Sequence, residues 1–486
     1  LLAVRDINHK YIVVDRNSMK DNIIALFNLK DPSIKINILE SSGSKITLSI
    51  TKKLQRTFCP LCHNVMHSKG IYKRTVNHPI LQDGRRIVLE INQRRWKCTN
   101  SLCQYQINDE FSFIDKYKQS TNITDILIVE EFRNYNNSVS DIASKFDVSD
   151  SHVIEVFSRY VDMKRETLPE VISIDEVHVN ILPEGEYALM ILNFITGEPI
   201  DILPSRKNAT TEEFFLNIPP SERNKVKYLI SDMYNPYISF VNKYFYNAVS
   251  AVDSFHIIKL INDKLNNYCI QLMREFKLRD EHRHRKLERE KGFKIRFHQS
   301  DEAYLLKNFK WLLLKNPNKI DYSHKSKFDK HFRYLMDVYD YEDRFFNIDP
   351  NLYEFKTLKD MYLEFNKTYL NDLEGAKIRL NEIIEIYKSS NYAIFKDIAK
   401  TLSKYQGSII NSFITVEVNG IQKRLSNGPI ESINRIPKDM IRHCRGFNNF
   451  QNFRNRFLFA TRKNAPILAI PKSREDVLVR SDKSNK

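Results

Sequence analysis

The feature that most constrains the fold lies between residues 171 and 253, where short apolar runs and helical patterns follow one another in a fixed order. "VISIDEVHVNI", "YALMILNFI" and "EPIDILPS" are β-type runs, with Thr196-Gly197 as a hairpin turn between the second and third. A helical pattern follows, "TTEEFFLNI", and then "VKYLIS" runs straight into Asp232. A second helical pattern, "PYISFVNKYF", leads to "AVSAV", which runs into Asp253. Asp175 follows Val171, Ile172 and Ile174 in the same way. Buried strands rarely meet carboxylates without a reason, so each strand is expected to stop in an acid that belongs to a shared site.

Three strands, helix, strand, helix, strand is the order of a ribonuclease-H-like mixed α/β sheet. In that fold a first-strand and a fourth-strand carboxylate lie side by side at the middle of the sheet, the places of Asp175 and Asp232. Phosphodiester cleavage needs an activated water or hydroxyl and stabilisation of the leaving oxygen, and two Mg²⁺ (or Mn²⁺) ions supply both. Mg²⁺ takes hard oxygen ligands and keeps several waters, so few carboxylates suffice. A third acid is expected from a helix. Glu431 in "SNGPIESINRIPKDMIRH" is the candidate, with Gly428 as N-cap, Pro429 at the first helical position and a kink at Pro437.

The plain alternative for Glu431 is an acid that complements the helix dipole. Against it, residues 423–463 hold ten Lys/Arg and two acids, the setting of a catalytic group beside a phosphate track. Asn434, Arg435, Lys438, Arg442 and Arg445 share roughly the face of Glu431, and the four cations are expected to touch DNA. In "VDSFH", Asp253 and His256 lie close to the site, Asp253 being a weaker ligand candidate than Asp232 and His256 an auxiliary or a structural group.

Four of the six cysteines fall in "CPLC" (Cys59, Cys62) and "CTNSLC" (Cys98, Cys103). Two short loops, each offering two sulfurs, suit one tetrahedral Zn²⁺, and the segment between them reads as strands around an Asp83-Gly84 turn, a zinc ribbon. His63, His67 and His78 are substitute ligands, but four thiolates already suffice. Residues 52–103 carry eleven Lys/Arg and two acids, and the whole chain has a net charge of +16, which points to a polyanionic partner.

"SVSDIASKFDVSDSHVIEVFSRYV" has the form of a helix-turn-helix. Val139, Ile142, Ala143 and Phe146 form one apolar face, "DVS" is the turn, and Ser149 or Asp150 caps the next helix, buried through Val153, Val156 and Phe157. An earlier helix over residues 124–134 completes a three-helix unit. Ser151 and His152, with Asp150 and Glu155, are then offered to a major groove.

No apolar run approaches membrane-spanning length and no signal peptide is recognisable, so the expected compartment is a reducing cytoplasm, with the protein on nucleoid DNA. The expected organisation is an N-terminal segment (1–50, with 1–18 lacking fixed structure and a helix opening at Met19), a zinc ribbon (51–110) and a helix-turn-helix (111–165). A catalytic core follows in two parts (166–265 and 416–470), interrupted by a helical insertion (266–415), and a tail closes the chain (471–486).

The series C-x2-C and C-x4-C, helix-turn-helix, "SIDEVHV", "SDMYNPY", "VDSFH" and "SNGPIESIN…RGFNNFQNFRNR" resembles the ISL-three family of bacterial insertion-sequence transposases over nearly the whole chain. The resemblance implies a DDE transposase with Asp175, Asp232 and Glu431 as its triad. It also implies binding of terminal inverted repeats in double-stranded DNA by the N-terminal modules, strand cleavage and transfer, and a homo-oligomer on DNA. The competing readings are a nuclease that cleaves without joining and a catalytically inert DNA-binding protein.

Overall fold

The computed structural model describes the chain except residues 1, 6–10, 15–28, 30, 43–44, 83–84, 117, 180, 182–185, 324, 445–446, 448, 474 and 477–486. The helix expected to open at Met19 and the Asp83-Gly84 turn fall outside the described residues. Two compact units are present: Leu1–Lys164 with Asp439–Lys486, and Arg165–Lys438. No helix among the described residues is long and apolar enough to cross a membrane.

The first unit opens with an antiparallel pair, β1 (Leu2–Arg5) and β2 (Tyr11–Val14), where no fixed structure was expected. Its main sheet is built from β3 (Ile34–Ser42), β4 (Lys45–Lys52), β5 (Met66–Gln82) and β6 (Arg85–Cys98) in the order β3-β4-β6-β5, with β7 (Gln106–Asn108) added to β6. The expected boundary near residue 50 is corrected here. β4 lies parallel to β6, from Lys45 opposite Arg86 to Thr51 opposite Asn92. The period-2 rows Ile46, Leu48, Ile50 and Ile87, Leu89, Ile91 share one buried face with Ile34 and Ile36, and Phe111, Phe113 and Ile114 join that core. Neither row could be buried by the cysteine hairpin alone.

Three helices follow, α1 (Asn122–Glu131), α2 (Val139–Phe146) and α3 (Asp150–Tyr160). Ser138 and Asp141 form a capping box on α2, Asp147 takes the left-handed conformation at its end (φ 55°, ψ 48°), and Ser149 caps α3 by accepting from the His152 N–H. The last helix, α18 (Phe450–Thr461), belongs to this unit, where the sequence placed it in the final part of an expected catalytic core. Its buried Phe453, Phe457, Leu458 and Phe459 explain why. Phe459 meets the Phe157 ring edge-on at 5.7 Å, Arg456 lies 4.4 Å over Phe132, and the Leu468 N–H donates to the Tyr160 carbonyl beyond the helix.

The second unit is organised by a five-stranded mixed sheet of β8 (Val171–His178), β9 (Tyr187–Asn193), β10 (Pro199–Leu203), β11 (Tyr228–Ser231) and β12 (Val249–Val252). The order is β10-β9-β8-β11-β12, with β9 antiparallel to both neighbours and β8, β11 and β12 parallel. Gly197, at φ 72°, makes the turn between β9 and β10. The chain passes from β10 to β11 through α4 (Asn208–Leu216) and α5 (Pro220–Arg223). From β11 to β12 it passes through α6 (Asn235–Ile238) and α7 (Phe240–Tyr244), two pieces where a single helix was expected. One core joins Ile172, Ile174, Leu189 and Ile191 to Phe215, Tyr237 and Phe240, and another joins Val171, Ile230 and Ala251 to Val418 and Leu425. Burial on both faces is the reason these strands read as continuous apolar runs rather than alternating ones.

The expected boundary at residue 265 also disappears, because α8 (Ser254–Lys291) starts directly after β12 and runs unbroken for 38 residues. Its buried Ile257, Ile261, Leu265 and Cys269 recur every four residues along one stripe, so the sheet leads into the helical region without a linker. That region comprises α9 (Asp301–Asn308), α10 (Trp311–Leu314), the small hairpin β13 (Lys327–Asp329) and β14 (Tyr334–Met336), α11 (Val338–Phe346), α12 (Pro350–Thr368), α13 (Leu373–Ser389), α14 (Ala393–Lys404) and α15 (Gln406–Asn411). A second hairpin, β15 (Thr415–Val418) and β16 (Ile421–Arg424), brings the chain back to the sheet and delivers α16 (Gly428–Ile433) and α17 (Arg435–His443). The break between these helices has a local cause. The Pro437 ring would meet the Ile433 carbonyl four residues earlier, and α16 ends at Ile433.

Candidate active site

Strand register brings the two strand acids together. β11 pairs in parallel with β8 as far as Ile230 opposite Ser173, and two residues further along each chain stand Asp232 and Asp175. Equal steps keep both side chains on one side, and adjacent strands lie about 4.8 Å apart. Asp232 follows the last residue of β11, but Asp175 does not end its strand, which corrects the expectation. β8 continues to His178 along β9 alone, with Asp175 opposite Met190. β11 stops and β8 does not, so Asp175 faces the space that β11 vacates.

α16 brings the third acid. Its N-cap is Asn427, not Gly428, and Glu431 lies in the first turn while Ile430 is buried beneath it. The Asn427 amide donates to Asp232 Oδ1 at 3.0 Å, and the Asn434 amide donates to Asp175 Oδ2 at 2.6 Å. Asp253 follows β12 and is buried. One of its oxygens accepts from the Phe255 N–H to cap α8, and the other accepts from the Asn427 N–H at 2.6 Å. His256, one turn into α8, places Nε2 2.6 Å from Asp232 Oδ1.

The electrostatics follow from this crowding. Burial, and then the neighbouring Asp232 charge, push the Asp175 carboxyl up to about 7. Burial raises Glu431 as well, followed by the charges of Asp253 and Asp232. Burial alone would lower His256, but its hydrogen bond and attraction to Asp232 raise it. Acids that resist ionising together, with one imidazole beside them, make a site short of positive charge. Asp175, Asp232 and Glu431 therefore suit divalent cations by the chemistry of their oxygens.

A pocket of about 680 Å³ opens beside the strand acids, lined by Asp175, Asp232 and His256 and by Glu176, Tyr187, Tyr234 and Lys259 among others. Sequence reasoning assigned nothing to the last four. Glu176 accepts from the Tyr237 hydroxyl at 2.6 Å and pairs with Arg206 at 2.5 Å, and Arg206 lies over the Tyr187 ring. The alternation in "IDEVHV" gave no hint that Glu176 organises an aromatic wall.

In the first unit the four cysteines converge. The sulfurs of Cys59, Cys62, Cys98 and Cys103 all lie within 4.8 Å of one another. Two such pairs on short loops fit one tetrahedral Zn²⁺. Among the described residues Asp175, Asp232 and Glu431 form no comparably tight set. Of the residues expected at DNA, Ser151, Arg435, Lys438 and Arg442 are exposed. His152 is half-buried, with its Nε2 buried 3.8 Å from the buried Asp125 of α1. Arg445 lies outside the described residues.

No curated protein matches the chain. A family model described as a transposase, that of the ISL-three DDE type, matches residues 172–457. The match reaches from the second residue of β8 into α18, takes in both strand acids and α16, and covers more than half of the 486 residues, so the chain belongs to the ISL-three family of DDE transposases.

Proposed function

We propose that this transposase binds the terminal inverted repeats of its element, cuts the DNA at those ends and joins the freed 3′-hydroxyl to a target strand, with Asp175, Asp232 and Glu431 as the catalytic acids. The observation that carries the reading is the meeting of the two strand acids in parallel register with a Glu-bearing helix hydrogen-bonded to both. The strand order supports a ribonuclease-H-like core, and α2, the left-handed Asp147 turn and α3 support a helix-turn-helix.

Divalent cations held by the three acids would activate the attacking water or 3′-hydroxyl and offset charge on the leaving oxygen. The chain's own residues prepare the site. Asp175 presents its oxygens from β8 and Asp232 from the residue after β11, and His256 holds Asp232 in place through its 2.6 Å contact. The pocket gives the DNA end a place next to the acids, with Tyr187 and Tyr234 as stacking surfaces and Lys259 as a phosphate partner. The cysteine module and α1–α3 bind the duplex, largely through backbone charge, and two copies act on paired ends.

A strand-transfer assay with labelled element ends tests the reading. Joined product is expected. Cleavage without joining would make the protein a nuclease, and binding without cleavage would make it an inert DNA-binding protein.

A further inference from the structure

The helix that carries Glu431 is six residues long and has Pro429 in its first turn. A helix of that length does not hold its own place; tertiary contacts must hold it. Both of its ends are tied to the strand acids. Asn427 is its N-cap residue, yet the side chain makes no capping bond to the helix. It donates instead to Asp232, while its backbone N–H donates to Asp253. Asn434 is the C-cap residue and donates to Asp175. The two amides are buried, at 0% and 8% exposure, and the Oδ1 of each is a buried acceptor without a hydrogen-bond partner. Buried acceptors are rarely left so. Amide hydrogens aimed at carboxylates, with free acceptors beside them, suit a site whose ion keeps several waters, because those waters need acceptors.

We propose that Asn427 and Asn434 are positioning residues that latch the Glu431 helix to Asp232 and Asp175 and thereby set the affinity of the acid cluster for divalent cations. The inference rests on the reading of the three acids as metal ligands and adds two neutral residues to it. The latch ties both ends of the Glu431 helix to the strand acids before any ion arrives, so the ion has only to draw in the Glu431 side chain. It leaves Asp232 Oδ2 toward the cation, while Asp175 Oδ1, which accepts from the Glu176 N–H at 2.8 Å, keeps a second lone pair for it.

The test is Mn²⁺ binding to the full chain without DNA, followed by electron paramagnetic resonance, with thermal unfolding in chelator measured alongside. Asn434→Ala is expected to weaken Mn²⁺ binding by roughly 10- to 100-fold, the usual effect of removing a residue that orients a ligand. Its unfolding temperature in chelator should stay near the parent's. Asn427→Ser should weaken binding in the same way. If Asn434→Ala does not fold, Asn434→Ser, which keeps a shorter donor, is measured in its place. Parental Mn²⁺ affinity in the folded asparagine variants overturns the latch, provided Asp232→Ala has lost binding. Parental affinity in Asp232→Ala instead overturns the reading of the acids themselves.

Discussion

The cysteine cluster and the carboxylate cluster are both candidate metal sites, and they are built in opposite ways. The four sulfurs sit on two short loops at the ends of one hairpin, and backbone geometry alone gathers them within 4.8 Å. The three carboxylates come from β8, from the residue after β11 and from α16, with Asp175 and Glu431 256 residues apart in the chain, and two asparagines at the ends of α16 hydrogen-bond to the strand acids. A local site can organise the fold around it. A site assembled from distant segments depends on the fold and must be held open against its own charge. The first should therefore control folding and the second reactivity.

The largest effect expected from that contrast is on catalysis. Asp175→Ala, Asp232→Ala and Glu431→Ala should each lower cleavage and joining by roughly a thousandfold or more, because residues that act as one unit fail together. Duplex binding should persist, measured by mobility shift. Glu431→Ala is the sharpest of the three. Cleavage near the parental rate in that variant would reduce Glu431 to an acid at a helix N-terminus.

Disrupting the cysteine site should act on binding. Zinc withdrawal, or Cys98→Ser, should unfold the cysteine module and weaken repeat binding by about a hundredfold, since structural zinc contributes folding free energy outright. Stoichiometric zinc in the purified protein is the companion measurement. Unchanged binding after zinc loss would erase the distinction between the two sites. A smaller effect is expected from the exposed cations. Arg442→Ala should lower DNA affinity only severalfold and reduce the slope of log affinity against log salt by roughly one.

What could be read from the sequence follows the same division. The cysteines declare themselves by spacing, and Asp175 and Asp232 by interrupting apolar runs, since both signals are local. The partner of β4 was not legible, because a parallel pairing with β6 across the first cysteine loop and β5 leaves no turn signal. Nor was the destination of α18, whose phenylalanines fit any apolar surface and pack beside Phe157. Asn434 was seen only as a member of the Glu431 face, and Asn427 had no role at all. The two asparagines frame "GPIESI" symmetrically, a signal that has meaning only once both strand acids are known to lie beneath them.

The smallest expected effect concerns stability without metal. Burial beside Asp232 pushes the Asp175 carboxyl up to about 7, against about 4 in an unfolded chain. Between those values the folded protein retains a proton that the unfolded chain has released. Stability from this group therefore falls as pH rises through the window, and the penalty is complete above about 7. Asp175→Asn removes the penalty, and the Asn434 amide can turn so that its unpartnered Oδ1 accepts from the new side chain. In chelator the variant should melt a few degrees above the parent at pH 8, and the difference should vanish toward pH 4. The cysteine site offers no such gain, since each thiol replaced there removes structure rather than strain. A variant that melts lower than the parent at pH 8 would mean that the Asn434 hydrogen bond outweighs the crowding of the acids, and the carboxylate site would then resemble the cysteine site in holding its unit together.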